Sequence, residues 1–175
     1  MADIVALAYC SRPVRFSFEQ TDRILEVSRR RNADAQVTGA LIYDNRAYLQ
    51  WLEGAADDIH EVFARISGDP RHEDVKLLAV RKLEARFFPD WSMTAALTQD
   101  QTLRGFKLVP HLSLTGFKPS GWSEADAVGF MDALSDYLNR RPAPKSEPPP
   151  MAPAPPQALG TGAVAALERQ LRNLA

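Results

Sequence analysis

The chain has 175 residues, 45% of them hydrophobic, and its 21 basic and 22 acidic side chains leave a net charge of -1. That length holds one ordinary domain with an appendage, and the charge balance gives no footprint for nucleic acid, although Arg29-Arg30-Arg31 is locally basic. No run approaches the ~20 apolar residues of a membrane span, the N-terminus lacks the order of a signal peptide, and Cys10 alone forms neither an intrachain disulfide nor a cysteine-rich metal site.

A cytoplasmic protein without a metal centre is therefore expected, since His60, His72 and His111 show no ligand pairing at helical spacing. Residues 4–10 form an apolar strand whose alternation puts Val5, Leu7 and Tyr9 on one face. Ser17-Phe18-Glu19-Gln20 then has the form of a capping box, so a helix is expected from there to about residue 31. On it the i, i+4 rule stacks Ile24, Ser28 and Asn32, with Arg31 beside them, so one side is mixed rather than purely apolar.

Residues 37–43 and 47–53 are two strands joined by Asp44-Asn45-Arg46, a turn composition that reads as a hairpin. The second carries Gln50, a primary amide with two donor hydrogens and two acceptor lone pairs in an apolar setting, where unpaired groups cost about 1–3 kcal/mol. Something must pair with it. From residue 57, Ile59, Val62, Phe63 and Ile66 recur at helical spacing until Gly68 and Pro70 stop the helix, and residues 75–83 and 91–97 supply two further strands.

Strand, helix, two strands, helix, two strands gives an α+β fold: a ferredoxin-like sheet of about five strands with both helices on one face. Ser123-Glu124-Ala125-Asp126 caps another helix whose stripe of Ala127, Phe130, Met131, Leu134, Tyr137 and Leu138 is expected to bury on or near the open face. Residues 142–156 are proline-rich, hence an extended or disordered linker. Beyond Gly160, Val164, Leu167, Leu171 and Leu174 make a short seam, too short to be stable without a partner or the domain itself. The expected organisation is a domain over residues 1–98, a helical extension over 99–141, the linker over 142–160 and a short amphipathic helix over 161–175.

Each residue has an ordinary reading: Tyr9 as a core tyrosine, Gln50 satisfied by backbone or water, Asn32 at a helix end, Trp91 and Met93 as packing, and Arg65, Asp69 and His72 as a solvated helix end. Together, in order and spacing, Tyr9, Asn32, Gln50 and Trp91-Ser92-Met93 resemble the BLUF family, the flavin-binding blue-light photoreceptors, over roughly residues 3–97.

The resemblance implies non-covalently bound FAD, with its ring between the two helices. Ile24 and Ser28 would lie against the ring, and Asn32 and Arg31 at its polar edge. Gln50 would stand between the ring and Tyr9, Arg65, Asp69 and His72 would meet the ribityl and phosphate part, and Trp91 and Met93 would repack near Gln50. It also implies an electron and proton leaving Tyr9 through Gln50, which ends rotated or in another tautomer, and a small red shift of the flavin absorption.

No stretch is long enough for an output enzyme, so output through a separate partner protein is expected, with a homo-oligomer suggested by the open sheet face and the leucine seam, and no direct nucleic-acid or membrane contact. Two other classes share the split sheet. An acylphosphatase-like hydrolase could offer Arg12 and Asn32 as a phosphate site but has no use for Gln50 beside Tyr9. An RNA-binding sheet would need exposed aromatics and a basic surface. A non-photoactive scaffold is the remaining alternative, and colour distinguishes it.

Overall fold

A computed structural model describes residues 3–90, 93–97, 117–139 and 161–174. Strands β1 (Ile4–Pro13), β2 (Thr38–Tyr43), β3 (Tyr48–Gly54), β4 (His72–Leu83) and β5 (Thr94–Leu97) form one sheet in the order β4-β1-β3-β2-β5. Helices α1 (Phe18–Asp34) and α2 (Ala56–Ser67) follow β1 and β3, and α3 (Glu124–Asn139) and α4 (Thr161–Leu174) follow β5. The first four strands pair antiparallel and β5 joins β2 in parallel. The ferredoxin-like α+β reading holds.

Local chemistry sets the ends of these elements. Ser17 Oγ accepts the backbone N–H of Gln20 at 3.0 Å, the N-cap bond that the sequence predicts. Beyond the expected end near residue 31, α1 continues to Asp34, and the chain reverses through Gln36 at φ 51°. Asn32 is thus inside the last turn of the helix rather than at its left-handed cap. Between β2 and β3, Asp44 Oδ1 accepts the N–H groups of Arg46 and Ala47, closing the hairpin turn. Strand β4 begins at His72, three residues before its expected start, and β5 is assigned only from Thr94. Trp91 and Ser92 lie outside the described residues.

Each sheet face carries its own core. Val5, Leu7 and Tyr9 of β1 join Ile24, Leu25, Leu52, Val62 and Phe63 in the core beneath α1 and α2. The alternate residues Ala6, Ala8 and Cys10, with Ala40, Leu49, Trp51 and Ala79, form the other face, and the Ala127, Phe130, Met131 and Leu134 stripe of α3 packs on it. The helix after Ser123 therefore covers the face that the sequence leaves open. Its start is a reciprocal capping box, Ser123 Oγ accepting from Asp126 N at 3.2 Å and Asp126 Oδ2 accepting from Ser123 N at 2.9 Å. Helix α4 returns to the other face and packs against α2 and β4 with Leu167 fully buried. No helix among the described residues is long and apolar enough to cross a membrane.

Candidate functional site

Sheet register builds the centre of the site. Tyr9 on β1 stands directly opposite Gln50 on β3, and Gln50 opposite Leu41 on β2, so all three side chains rise on the α1/α2 face. A register shift in the β1–β4 pairing falls between Ala8 and Tyr9, where irregular pairing re-aims a side chain. Tyr9 is fully buried and its ring centroid lies 5.4 Å from that of Phe63 on α2. The Tyr9 hydroxyl donates to Gln50 Oε1, and Gln50 Nε2 donates to Met93 Sδ at 3.2 Å. Gln50 and Met93 are 5% and 3% exposed. The structure thus has Met93 inside, against Gln50.

An amide nitrogen carries two hydrogens, and a thioether is a weak acceptor, so the donor capacity of Gln50 is only partly used by these contacts. Burial, with the Asp69 carboxylate behind it, pushes the Tyr9 phenol far above its ordinary pKa. Tyr9 is therefore a neutral donor at any working pH. Its proton leaves only if something else changes on the phenol.

Helix α1 supplies the second wall. Ile24 and Asn32 are buried on it at 9% and 2% exposure, and Ser28, partly buried, sits between them on the same stripe. Arg31 is partly buried beside Asn32. Arg29, part of the locally basic Arg29-Arg30-Arg31 run, donates from Nε to the Met93 carbonyl at 3.0 Å and ties α1 to the segment entering β5.

A polar group forms at the mouth of β1. Arg71 Nε donates to both Asp69 oxygens at 2.8 and 3.0 Å, and Ser11 Oγ and His72 Nδ1 are 2.9 Å apart. Tyr48 links this group to α1 through Thr21, Oη to Oγ1 at 3.3 Å, and its ring lies 5.3 Å from that of His72. Burial alone would raise the Asp69 carboxyl, but its bonds to Arg71 outweigh that and hold it below the ordinary value. Burial lowers His72 to about 4, so the imidazole is neutral. Asp69 and His72 therefore share one cluster, whereas Arg65 turns to Glu61 one turn back on α2, at 3.5 Å. Arg71 was absent from the sequence reading, although a basic residue between Asp69 and His72 is a visible signal. At the end of α2 the Ser67 hydroxyl is buried with no partner among the described residues.

Glu53 is the other residue that pattern reading passed over. It is fully buried on the opposite face, and its carboxylate accepts from Trp51 Nε1 at 2.7 Å, Phe87 N at 2.8 Å, Phe88 N at 3.1 Å and Thr38 Oγ1 at 3.3 Å. Arg86 adds bonds to the Glu53 carbonyl at 2.6 Å and the Gln36 carbonyl at 2.8 Å. The strand bearing Gln50 is thereby fastened to the connection that leads towards Met93. The same connection reaches α3, because Asn139 Nδ2 donates to the Phe87 carbonyl at 3.0 Å. Among the described residues no cluster of His, Cys, Asp and Glu could hold a metal ion.

The family described as "BLUF: Sensors of blue-light using FAD" matches residues 4–94. The photoactivated adenylate cyclase subunit beta of Euglena gracilis is 35% identical over 95 residues, covering 53% of this chain and 11% of that protein. The blue light- and temperature-regulated antirepressor BluF of Escherichia coli strain K12 is 29% identical over 70 residues, 40% of this chain and 17% of that one. The chain thus spans a small part of these relatives. Among solved structures, the dark state of BlrB, a BLUF protein, superposes with a TM-score of 0.65 at 32% identity, covering 79% of this chain and 99% of that chain. The matched residues hold β1 to β4 and the first residue of β5, and with them Tyr9, Gln50 and Met93; the chain belongs to the BLUF family, the sensors of blue light that use FAD.

Proposed function

We propose that Tyr9 and Gln50 are the photoactive pair of this blue-light photoreceptor, that its FAD is held between α1 and α2, and that its output is a contact with a separate protein. The observation that carries the proposal is the buried Tyr9–Gln50–Met93 chain, in which the central amide still has donor capacity to spare.

The residues suit the cofactor. A flavin ring needs apolar faces and a polar edge, and Ile24 offers the first, with the small Ser28 beside it, while the amides of Asn32 and Gln50, with Arg31 nearby, offer the second. Arg65, Asp69 and His72 are assigned to the ribityl and phosphate part, with Arg71 added because Asp69 orients its guanidinium. Bound there, FAD supplies blue-light absorption and, when excited, an oxidising ring edge.

Tyr9 is a buried, oxidisable phenol, and its hydroxyl already points its proton at Gln50 Oε1. Loss of an electron to the excited flavin would make the phenol strongly acidic, so the proton would follow along that bond. Return of both electron and proton to Tyr9 would restore the phenol and leave the net change on Gln50, rotated or in its other tautomer, and either outcome changes what its nitrogen donates to. The Nε2–Sδ contact to Met93 cannot survive rotation of the amide, so the switch is passed to the start of β5. Trp91, outside the described residues, is proposed to take part in the same repacking.

Output through protein contact fits a chain whose described residues beyond β5 are mostly helical and whose sequence is proline-rich over residues 142–156. Self-association is a second proposal, but both features that suggested it are engaged within the chain: α3 lies on the open sheet face, and α4 buries Leu167 of its seam, with Leu171 and Leu174 partly buried. A homo-oligomer would need exchange of α4 or another surface. The test is optical. Protein purified in the dark should be yellow, shift its flavin absorption to the red in blue light and revert in darkness. Tyr9→Phe and Gln50→Ala should keep the colour and lose the shift; a full shift in either variant removes that residue from the mechanism.

A further inference from the structure

Helix α4 is this chain's own occupant of a groove between α2 and the outer strand β4. Apolar side chains of these two elements on that face include Val62, Phe63, Ile66, Val75 and Leu77. Leu167 enters completely at 0% exposure, whereas Ala163, Leu171 and Leu174 remain only partly buried. A polar contact joins α2 and α4, His60 Nε2 to Glu168 Oε1 at 3.2 Å, with side chains 37% and 47% exposed.

A helix of this length is marginal alone in water, so α4 owes its order to the groove. One deep anchor and one exposed histidine–carboxylate contact make a weak hold. Tethering through residues 140–160 raises the local concentration of α4 enough to keep such a hold closed. A free helix therefore enters such a groove when it binds more tightly than α4 does or when α4 is released.

We propose that the groove between α2 and β4 is a helix-docking surface that α4 occludes, and that its external occupant is an amphipathic helix of a partner protein built like α4. Such a helix would place a leucine where Leu167 lies, further leucines along the same stripe and a carboxylate against His60. The proposal does not depend on the flavin chemistry, although the two share a helix: Phe63, on α2, is the ring beside Tyr9.

The test uses the full chain and a fluorescent peptide of residues 161–174. Leu167→Glu should expel α4, so the peptide should bind this variant about ten-fold or more tightly than the wild type, whose groove is filled in cis. Adding His60→Glu should weaken peptide binding several-fold, and a peptide carrying Glu168→Lys should restore it. Retained flavin in each variant reports an intact fold, and Leu167→Ala serves the same comparison if the charged variant loses its flavin. Absence of peptide binding to the folded variants, equal binding to wild type, or indifference to His60→Glu would each overturn the proposal. A wild-type dimer that Leu167→Glu abolishes would assign the groove to α4 of a second copy, and would overturn the foreign partner.

Discussion

The amide nitrogen of Gln50 lies 3.2 Å from the sulfur of Met93 while its oxygen accepts from Tyr9, so the orientation of one buried amide is read at both ends. Met93→Leu keeps the apolar volume and removes the acceptor. Flavin binding and the red shift should persist, and, with this orientation as that of the dark state, dark recovery should slow two- to five-fold, because a contact worth about 0.5–1 kcal/mol no longer favours it. Kinetics of the return of dark absorption measure this; an unchanged rate would reduce the sulfur contact to packing.

Cofactor retention separates the two ends of the site. Asn32→Ala removes a 2% exposed amide from the proposed ring edge, and Arg71→Ala removes the cation that Asp69 holds. Both should lower the flavin-to-protein ratio after purification, and Asn32→Ala should also disturb the spectrum. Arg65→Ala should weaken binding more at high salt, yet leave the shift unchanged in molecules that keep their flavin. If Asn32→Ala purifies fully loaded with a normal photocycle, Asn32 is a helix residue and nothing more.

The parts of this molecule governed by period and capping were legible in the sequence. Alternation placed Val5, Leu7 and Tyr9 on one face, and the capping boxes at Ser17 and Ser123 marked real helix starts. Gln50 announced itself because an amide in an apolar strand demands a partner. The residues that escaped notice act through the fold rather than through a pattern. Glu53 reads as the polar end of a strand, and only the return of residues 86–88 across β3 turns it into a buried acceptor. Arg29 reads as one of three surface arginines, and its target is a backbone carbonyl 64 positions away. Likewise the leucine seam of α4 shows that it needs a surface, but no local rule says that the surface is α2 and β4.

Acid should loosen the site through His72. Its imidazole is held at about 4 against an ordinary 6.5, mainly by burial. Between these values the unfolded chain binds the proton and the folded chain does not, so stability rises with pH across that window and is fully present above it. Lowering the pH from 7 to 4.5 should remove up to about 2–3 kcal/mol, which His72→Gln should largely abolish. Urea unfolding of both proteins across this range measures it; parallel curves would show that other groups carry the acid sensitivity.

Glu53 should be among the most sensitive positions of the fold, although it lies on the face away from Tyr9. Its carboxylate is the acceptor for Trp51 Nε1 and for the backbone N–H groups of Phe87 and Phe88. Glu53→Ala strands these donors in the core, and a buried donor left unpaired costs about 1–3 kcal/mol. The donors are neighbours and relax together, so a total loss of about 3–4 kcal/mol is expected in urea unfolding rather than the full sum. Glu53→Gln keeps the size but turns one acceptor into a donor facing N–H groups, and should cost about half as much. The connection that Glu53 fastens runs on towards Met93, and its Phe87 carbonyl is bonded to Asn139 of α3. The glutamine variant should therefore keep its colour and red shift while its dark recovery changes. A loss below about 1 kcal/mol in Glu53→Ala would mean that water or Arg86 replaces the carboxylate, and that the 86–88 connection does not depend on it.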